Sequence, residues 1–132
     1  MSIPPPPHIS GTDFVTLASR DLAASSEFYA TTLGLRRSVY IVDRHYSEFD
    51  TANLTLSVIN AEGMGLEHHV GRNPIGLHVD DVAAARAALE ARGVSSSGEI
   101  LDTGVCHMAF FHDPDGNALM LHNRYAPRVT EA

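Results

Sequence analysis

Apolar and polar positions alternate along the chain in an order that occurs twice. Phe14–Ala18 and Ile75–Val79 are short and apolar, which is typical of strands. An Ala-rich segment follows each of them, and Asp21–Ser25 (DLAAS) returns as Asp81–Ala85 (DVAAA). Because self-similarity at a fixed offset indicates repeated structural units, the pattern predicts two copies of one unit.

Each Ala-rich segment has apolar residues at helical spacing and is bounded by residues that suit helix ends. Asp21 is the expected N-cap of the first helix, and Asp80 or Asp81 of the second, since an Asp side chain accepts from free backbone N–H groups. Gly34 and Gly93 are expected to end the helices in the left-handed conformation. Two amphipathic helices are therefore predicted.

Three more strands are predicted after each helix, so each half has the order strand, helix, strand, strand, strand. Asp113–Gly116 (DPDG) is a strong turn signal between the last two strands. The predicted strands are Arg37–Val42, Tyr46–Asp50, Asn53–Ile59, Gly98–Leu101, Val105–His112 and Asn117–Asn123. This arrangement predicts an α+β fold.

The same pattern divides the chain into a single domain with short extensions. Residues 12–125 form the domain, with a first module at 12–61, a Gly-containing linker at 62–73 and a second module at 74–125. Residues 1–11 form a Pro-rich arm, which Pro4–Pro7 stiffen, and residues 126–132 form a C-terminal tail.

Composition and charge exclude several classes of protein. The 132 residues carry 9 basic and 16 acidic side chains, a formal charge of −7 without a basic stripe, so a nucleic-acid partner is not expected. No apolar run is long enough to span a membrane, and no membrane partner is expected. The single cysteine, Cys106, excludes an intrachain disulfide. The N-terminus lacks signal-peptide features, which makes a cytoplasmic location the default expectation.

Three motifs resemble those of the vicinal oxygen chelate superfamily, which includes glyoxalase I, extradiol dioxygenases, fosfomycin-resistance enzymes and bleomycin-resistance proteins. The first half carries D-L-x-x-S-x-x-F-Y-x-x-x-L-G-L from Asp21 to Leu35. The second half carries V-D-D-V at Val79–Val82 and F-x-D-P-D-G-N from Phe111 to Asn117. The resemblance implies two tandem βαβββ modules that form an open, curled mixed sheet around a ligand cavity.

The resemblance also implies where a metal would bind. Enzymes of this family use a His or Gln on the opening strand of each module and a Glu or His on the last strand. Spacing from the motifs places Phe14, Leu56, Pro74 and Met120 at these positions. None is an oxygen or nitrogen donor, and among their immediate neighbours only Asp13 is a usual ligand. We therefore expect neither the family's metal site nor a cofactor.

Alternate residues of a strand share a face, so the same spacing predicts which side chains line the cavity. The predicted lining is apolar, aromatic and sulfur-containing with two imidazoles, as is common in small-molecule sites. It comprises Phe14, Tyr40, Phe49, Leu56, His78, Met108, Phe110, Met120 and His122. Across the Asp113–Gly116 hairpin, we expect Phe110 to oppose Met120 and Met108 to oppose His122.

This lining favours a metal-free binding protein with no catalytic residue over an enzyme. Bleomycin-resistance proteins sequester an antibiotic as acidic dimers, with ligand crevices between the chains and an exchanged N-terminal arm. The resemblance thus implies a homodimer that sequesters an antibiotic or another bulky aromatic natural product, with Pro4–Pro7 as the arm. The negative charge suits a cationic drug.

The alternative is an enzyme, such as a lyase, isomerase or dioxygenase, that acts on a small metabolite. His78 or His122 would act as an acid–base group, or both would bind a relocated metal together with Glu48 or Asp50. The two imidazoles come close only if their strands adjoin. Turnover that is lost when either His is replaced would favour the enzyme. A family member with an unidentified metabolite is a third hypothesis.

Overall fold

One structural unit occurs twice in the computed structural model, which describes residues 2–128. Each unit has the predicted order of one strand, one helix and three strands, so the predicted α+β class is confirmed. The first unit comprises β1 (Phe14–Ala18), α1 (Leu22–Glu27), β2 (Arg36–Ile41), β3 (Tyr46–Asp50) and β4 (Thr55–Ile59). The second comprises β5 (Ile75–His78), α2 (Val82–Ala91), β6 (Ser97–Asp102), β7 (Cys106–His112) and β8 (Ala118–Arg124).

Each unit forms its own four-stranded mixed sheet. The strand orders are β1-β4-β3-β2 and β5-β8-β7-β6, with the first pair parallel and the other pairs antiparallel. The segment before β1 is exposed and has no regular secondary structure from residue 2 onward. Residue 1 of the predicted arm and residues 129–132 of the predicted tail lie outside the described residues. None of the helices in residues 2–128 is both long and apolar enough to cross a membrane.

The first helix differs from the expected single α-helix. Asp21 caps it as predicted by accepting from the Ala24 N–H at 3.1 Å, but the α-helix ends at Glu27. Phe28–Thr32 forms a π-helical turn, in which the Leu33 N–H reaches back five residues to the Phe28 carbonyl. Hydrophobic spacing does not distinguish these two hydrogen-bond patterns over a single turn.

The second helix agrees with its prediction. Asp81, not Asp80, is the N-cap and accepts from the Ala84 N–H at 3.0 Å. Gly34 and Gly93 have φ of +71° and +87°, the left-handed conformation expected at the two helix ends.

Each sheet has one face covered by helices and one uncovered face, which we call the open face. The helix side is apolar, and its buried residues from both units form a single core cluster. That cluster comprises Leu17, Leu22, Tyr29, Phe49, Leu56, Val58, Val82, Leu89, Ala109, Phe111, Leu119 and Leu121. The two units therefore pack through their helix sides, which leaves both open faces uncovered.

A buried carboxylate at the β7–β8 turn joins the two units. Asp113 Oδ2 accepts from the Tyr29 hydroxyl of the first unit and from Asn117 Nδ2, each at 2.8 Å. Asp113 Oδ1 accepts from the backbone N–H groups of Asp115 and Asn117, each at 2.9 Å. Burial, together with the Asp113 charge, raises the pKa of the Tyr29 phenol, so this group remains a hydrogen-bond donor.

The Asn117 side chain extends the same network to two other parts of the chain. Its Nδ2 donates to the Ala18 carbonyl at the end of β1, at 2.9 Å. Its Oδ1 accepts from the Gly71 N–H at 2.8 Å, between β4 and β5. The turn thus holds the first strand and the intervening segment against the second sheet.

We expect Tyr29→Phe to lower the free energy of unfolding by about 1–2 kcal/mol, because a buried charge-assisted hydrogen bond between the units is lost. Urea unfolding measures this change. Tyr125→Phe is the matched control, since its hydroxyl also donates to a carboxylate, Asp102, but in an exposed pair. If both substitutions lowered the free energy of unfolding equally, the claim that the buried Tyr29–Asp113 hydrogen bond stabilises the fold more than an exposed one would be contradicted.

Candidate ligand site on the open face of the second sheet

The open face of the second sheet places the predicted His and Met residues in two adjacent rows. One row contains His78, His122 and Met108, which are register partners on β5, β8 and β7. The strands of the two histidines therefore adjoin, and Met108 opposes His122 as predicted. Cross-strand partners have Cβ atoms roughly 5 Å apart, so these side chains form one continuous surface.

The second row contains Gly76, Met120 and Phe110. The predicted pairing of Phe110 with Met120 is therefore also confirmed. Gly76 has no side chain and so leaves a shallow notch beside Met120, in which a Cβ would make ordinary contacts of 3.7 Å to Cγ and 3.8 Å to Sδ. Met108, Phe110 and Met120 are half-buried, so part of each side chain is available for contact.

Two polar groups lie beside these apolar side chains. The exposed His78 has its Nε2 3.2 Å from Asp80 Oδ1. His122 is half-buried, and its imidazole makes no side-chain hydrogen bond to any of residues 2–128. The site therefore combines adaptable apolar contacts with one imidazole that is free to bind a carbonyl or hydroxyl group.

In the first sheet, the predicted facing of Phe49 and Leu56 is wrong. Leu56 is the register partner of Val15, not of Phe14, and Phe49 is the partner of Leu56. Both side chains are buried in the core cluster on the helix side. Phe14 is the partner of Thr55 and lies on the open face, where it is 57% exposed.

Tyr40 is also on the helix side rather than on the predicted inner face. Its register partner is Ser47, which is buried with the core residues of β3. The Arg37 guanidinium lies 4.6 Å from the centre of the Tyr40 ring and donates to Ser26 of α1. Of the nine predicted lining residues, Tyr40, Phe49 and Leu56 are thus separated from the other six.

The error arises from a one-residue difference between the two repeats. In the second unit, Met120 is the partner of Gly76, two residues after Pro74. The equivalent in the first unit is the partner of Thr16, which is Ser57. The prediction of Leu56 treats Asn53 as the repeat of Asn117, the last residue of the F-x-D-P-D-G-N motif, and counts three residues onward. A slip of one residue reverses the facing of a strand.

The first sheet has a more polar open face than the second. Glu48 and Asp50 lie on it as partners of Ser57 and Thr55. Asp50 accepts from Arg36 at 2.9 Å, whereas Glu48 forms no ion pair within residues 2–128. The two open faces are therefore chemically different, because the first has the unpaired carboxylate of Glu48 and the second is apolar with imidazoles.

The residues at the family's metal positions do not fit a divalent ion. With the register corrected, these positions hold Phe14, Ser57, Pro74 and Met120, which include neither a carboxylate nor an imidazole. Among the described residues, no group of three or more His, Cys, Asp or Glu side chains is placed to hold a metal. Within residues 2–128, Glu48 and Asp50 therefore do not form a metal-binding group with His78 and His122.

Comparison with known proteins identifies the family. The model of the Glyoxalase/Bleomycin resistance protein/Dioxygenase superfamily matches residues 11–121. The chain therefore belongs to this superfamily, and the resemblance noted in the motifs is confirmed. Among curated proteins, no sequence matches this chain significantly.

Solved structures of this superfamily include both enzymes and binding proteins. A lactoylglutathione lyase from Agrobacterium tumefaciens has a TM-score of 0.74 and 17% identity, with 88% of this chain and 95% of that chain covered. TnmS3, an antibiotic binding protein from Streptomyces sp. CB03234, has a TM-score of 0.74 and 25% identity, with 89% and 98% covered. A glyoxalase/bleomycin resistance protein from the same organism has a TM-score of 0.70 and 25% identity, with 86% and 100% covered. The fold is thus shared by proteins of different activity.

Adjacent residues on β3 test the corrected facing of the first sheet. We expect Phe49→Ala to reduce the free energy of unfolding by about 3–5 kcal/mol, because it leaves a cavity in the core. Glu48→Ala should change it by less than about 0.5 kcal/mol, since the side chain is on the open face and unpaired. Urea unfolding of both variants is the measurement. A larger effect at Glu48 than at Phe49 would show that the facing is reversed.

Proposed function

We propose that this chain is a binding protein that holds a bulky, largely aromatic small molecule on the open face of its second sheet, without turnover. The observation that carries the proposal is the continuous, partly exposed surface of Met108, Phe110 and Met120 beside the free imidazole of His122. Ligand sites are typically apolar with a few polar anchors, which matches this composition. The likeness to TnmS3, described as an antibiotic binding protein, supports an antibiotic or related natural product as the ligand.

The side chains of the open-face site account for both the affinity for the ligand and the orientation of the ligand. Burial of an aromatic ring against the two Met side chains and Phe110 contributes about 25 cal/mol per Å² of apolar area, less the cost of association. Because Met is flexible and polarizable, this surface adapts to an irregular ligand. His122 donates to or accepts from one polar group and thereby fixes the orientation of the ligand.

The function also requires a cover, which we propose is a second copy of the chain. One sheet face does not enclose a ligand, whereas small-molecule sites commonly bury about 70–90% of the ligand surface. Leu101, which is 48% exposed, is the register partner of Met108 and extends the apolar patch of the second sheet, and a contiguous exposed patch of this kind marks an interaction site. Phe14, on the other open face, is 57% exposed and available to contact it. In a homodimer, the open face with Glu48 would cover the apolar face, and its unpaired carboxylate would favour a ligand with a basic group.

Calorimetric titration with a panel of polycyclic aromatic natural products, with and without a basic amine, tests this function. We expect saturable, stoichiometric binding of some members, which remains after dialysis against a chelator and yields no product. Met120→Glu should weaken the binding at least tenfold, because it places a charge under the ligand. Met64→Glu is the matched control, since Met64 is exposed and lies outside both sheets.

Three outcomes would contradict the proposal. The first is that no member of the panel binds, and the second is that Met64→Glu weakens binding as much as Met120→Glu does. The third is product in excess of protein that is lost in His78→Ala or His122→Ala, which would favour the enzyme. The cover is tested separately by sedimentation of Phe14→Asp, which should be monomeric where the unmodified chain is dimeric.

A further inference from the structure

A separate hollow of about 460 Å³ lies between the two units at the free edge of β5. Its lining includes residues on the helix side, such as Leu121 of β8, and two residues of the open-face site, Gly76 and His78 of β5. A volume of this size is in the range of sites for small organic ligands. Nothing in the function proposed above uses this hollow.

Aliphatic side chains from both units form one side of the hollow, and the rest of its lining is polar and includes Thr31, Thr32, Thr51 and Asn53. Leu33 and Leu35 come from the end of the first helical segment, and Leu77 and Leu89 come from β5 and α2. Leu89 is part of the core cluster, and the other three pack against it while remaining partly accessible. Because these walls belong to the core, the hollow has a defined shape, and its lining contains no Phe, Tyr or Trp.

One cation, Arg92, lies at the end of α2 and lines the hollow. Its guanidinium makes one long hydrogen bond, 3.4 Å from Nη1 to the Thr31 carbonyl, and pairs with no carboxylate within residues 2–128. The carboxylate in the lining, Asp50, is held by Arg36 at 2.9 Å. Most N–H donors of Arg92 are therefore free beside an aliphatic hollow.

We propose that this hollow binds a small amphipathic carboxylic acid. The aliphatic body lies among Leu33, Leu35 and Leu77, and the carboxylate accepts hydrogen bonds from Arg92. A guanidinium presents two parallel N–H groups that match a carboxylate, which favours a monoacid over a neutral or cationic head group. The aliphatic lining favours an alkyl chain over a flat aromatic ring.

Calorimetry with three ligands that share one alkyl chain tests the proposal on the full chain. Decanoate should bind saturably with one molecule per chain, and decanol and decyltrimethylammonium at least tenfold more weakly. Arg92→Gln should weaken decanoate binding on the order of tenfold, since it removes a charged hydrogen-bond donor but retains a polar side chain. Arg86→Gln is the matched control, because Arg86 is on the same helix but is paired with Glu90 outside the hollow.

Two further variants distinguish this site from the open face. Ala88→Phe places a ring in the hollow and should abolish decanoate binding. Phe110→Glu should leave it unchanged, because Phe110 is on β7, two strands away from β5. Circular dichroism establishes that each variant is folded. The proposal is overturned if decanol binds as tightly as decanoate, if Arg92→Gln binds decanoate like the unmodified chain, or if decanoate does not bind saturably.

Discussion

The buried carboxylate of Asp113 holds the two units in their relative arrangement. Four hydrogen bonds satisfy its two oxygens, and the one from Tyr29 crosses from the other unit. A buried charge of this kind is stable only when its acceptor sites are filled, so the turn, Tyr29 and Asn117 act together. Their arrangement directs the helix sides of both sheets towards a shared core and leaves the open faces uncovered.

Register then determines the chemistry of each open face. In the second sheet, the alternation places Met108, Phe110, Met120 and His122 outward. In the first sheet, the same alternation places Phe49 and Leu56 inward and Glu48 outward. The two repeated units thus present one largely apolar surface and one surface with the unpaired carboxylate of Glu48. A ligand with an aromatic body and a basic group would complement both.

Much of the fold follows from local sequence signals. The two Asp caps, the Gly helix ends and the Asp113–Gly116 turn each depend on a few neighbouring residues, and the structure shows all of them. The pairing across the β7–β8 hairpin was predictable because a short turn fixes the register of the strands that it joins. The π-helical turn at Phe28–Thr32 was not predictable, since it differs from an α-helix by hydrogen bonds that residue spacing does not specify.

The site was predictable only where register could be counted from a tight turn. The β3–β4 connection includes Ala52 at φ +75°, and the two units differ there by one residue, which reversed the assignment of Leu56. The hollow beside Arg92 depends on contacts between units that are distant in sequence, so neither periodicity nor motif spacing indicated it.

The central claim is that the Met-rich open face of the second sheet receives the ligand. The most direct measurement is NMR of the chain labelled with ¹³C at its methionine methyl groups, titrated with the tightest-binding aromatic compound and assigned through Met→Leu variants. We predict that the Met108 and Met120 methyl resonances shift to saturation while that of Met64 does not. Saturation with unchanged Met108 and Met120 resonances would contradict the account.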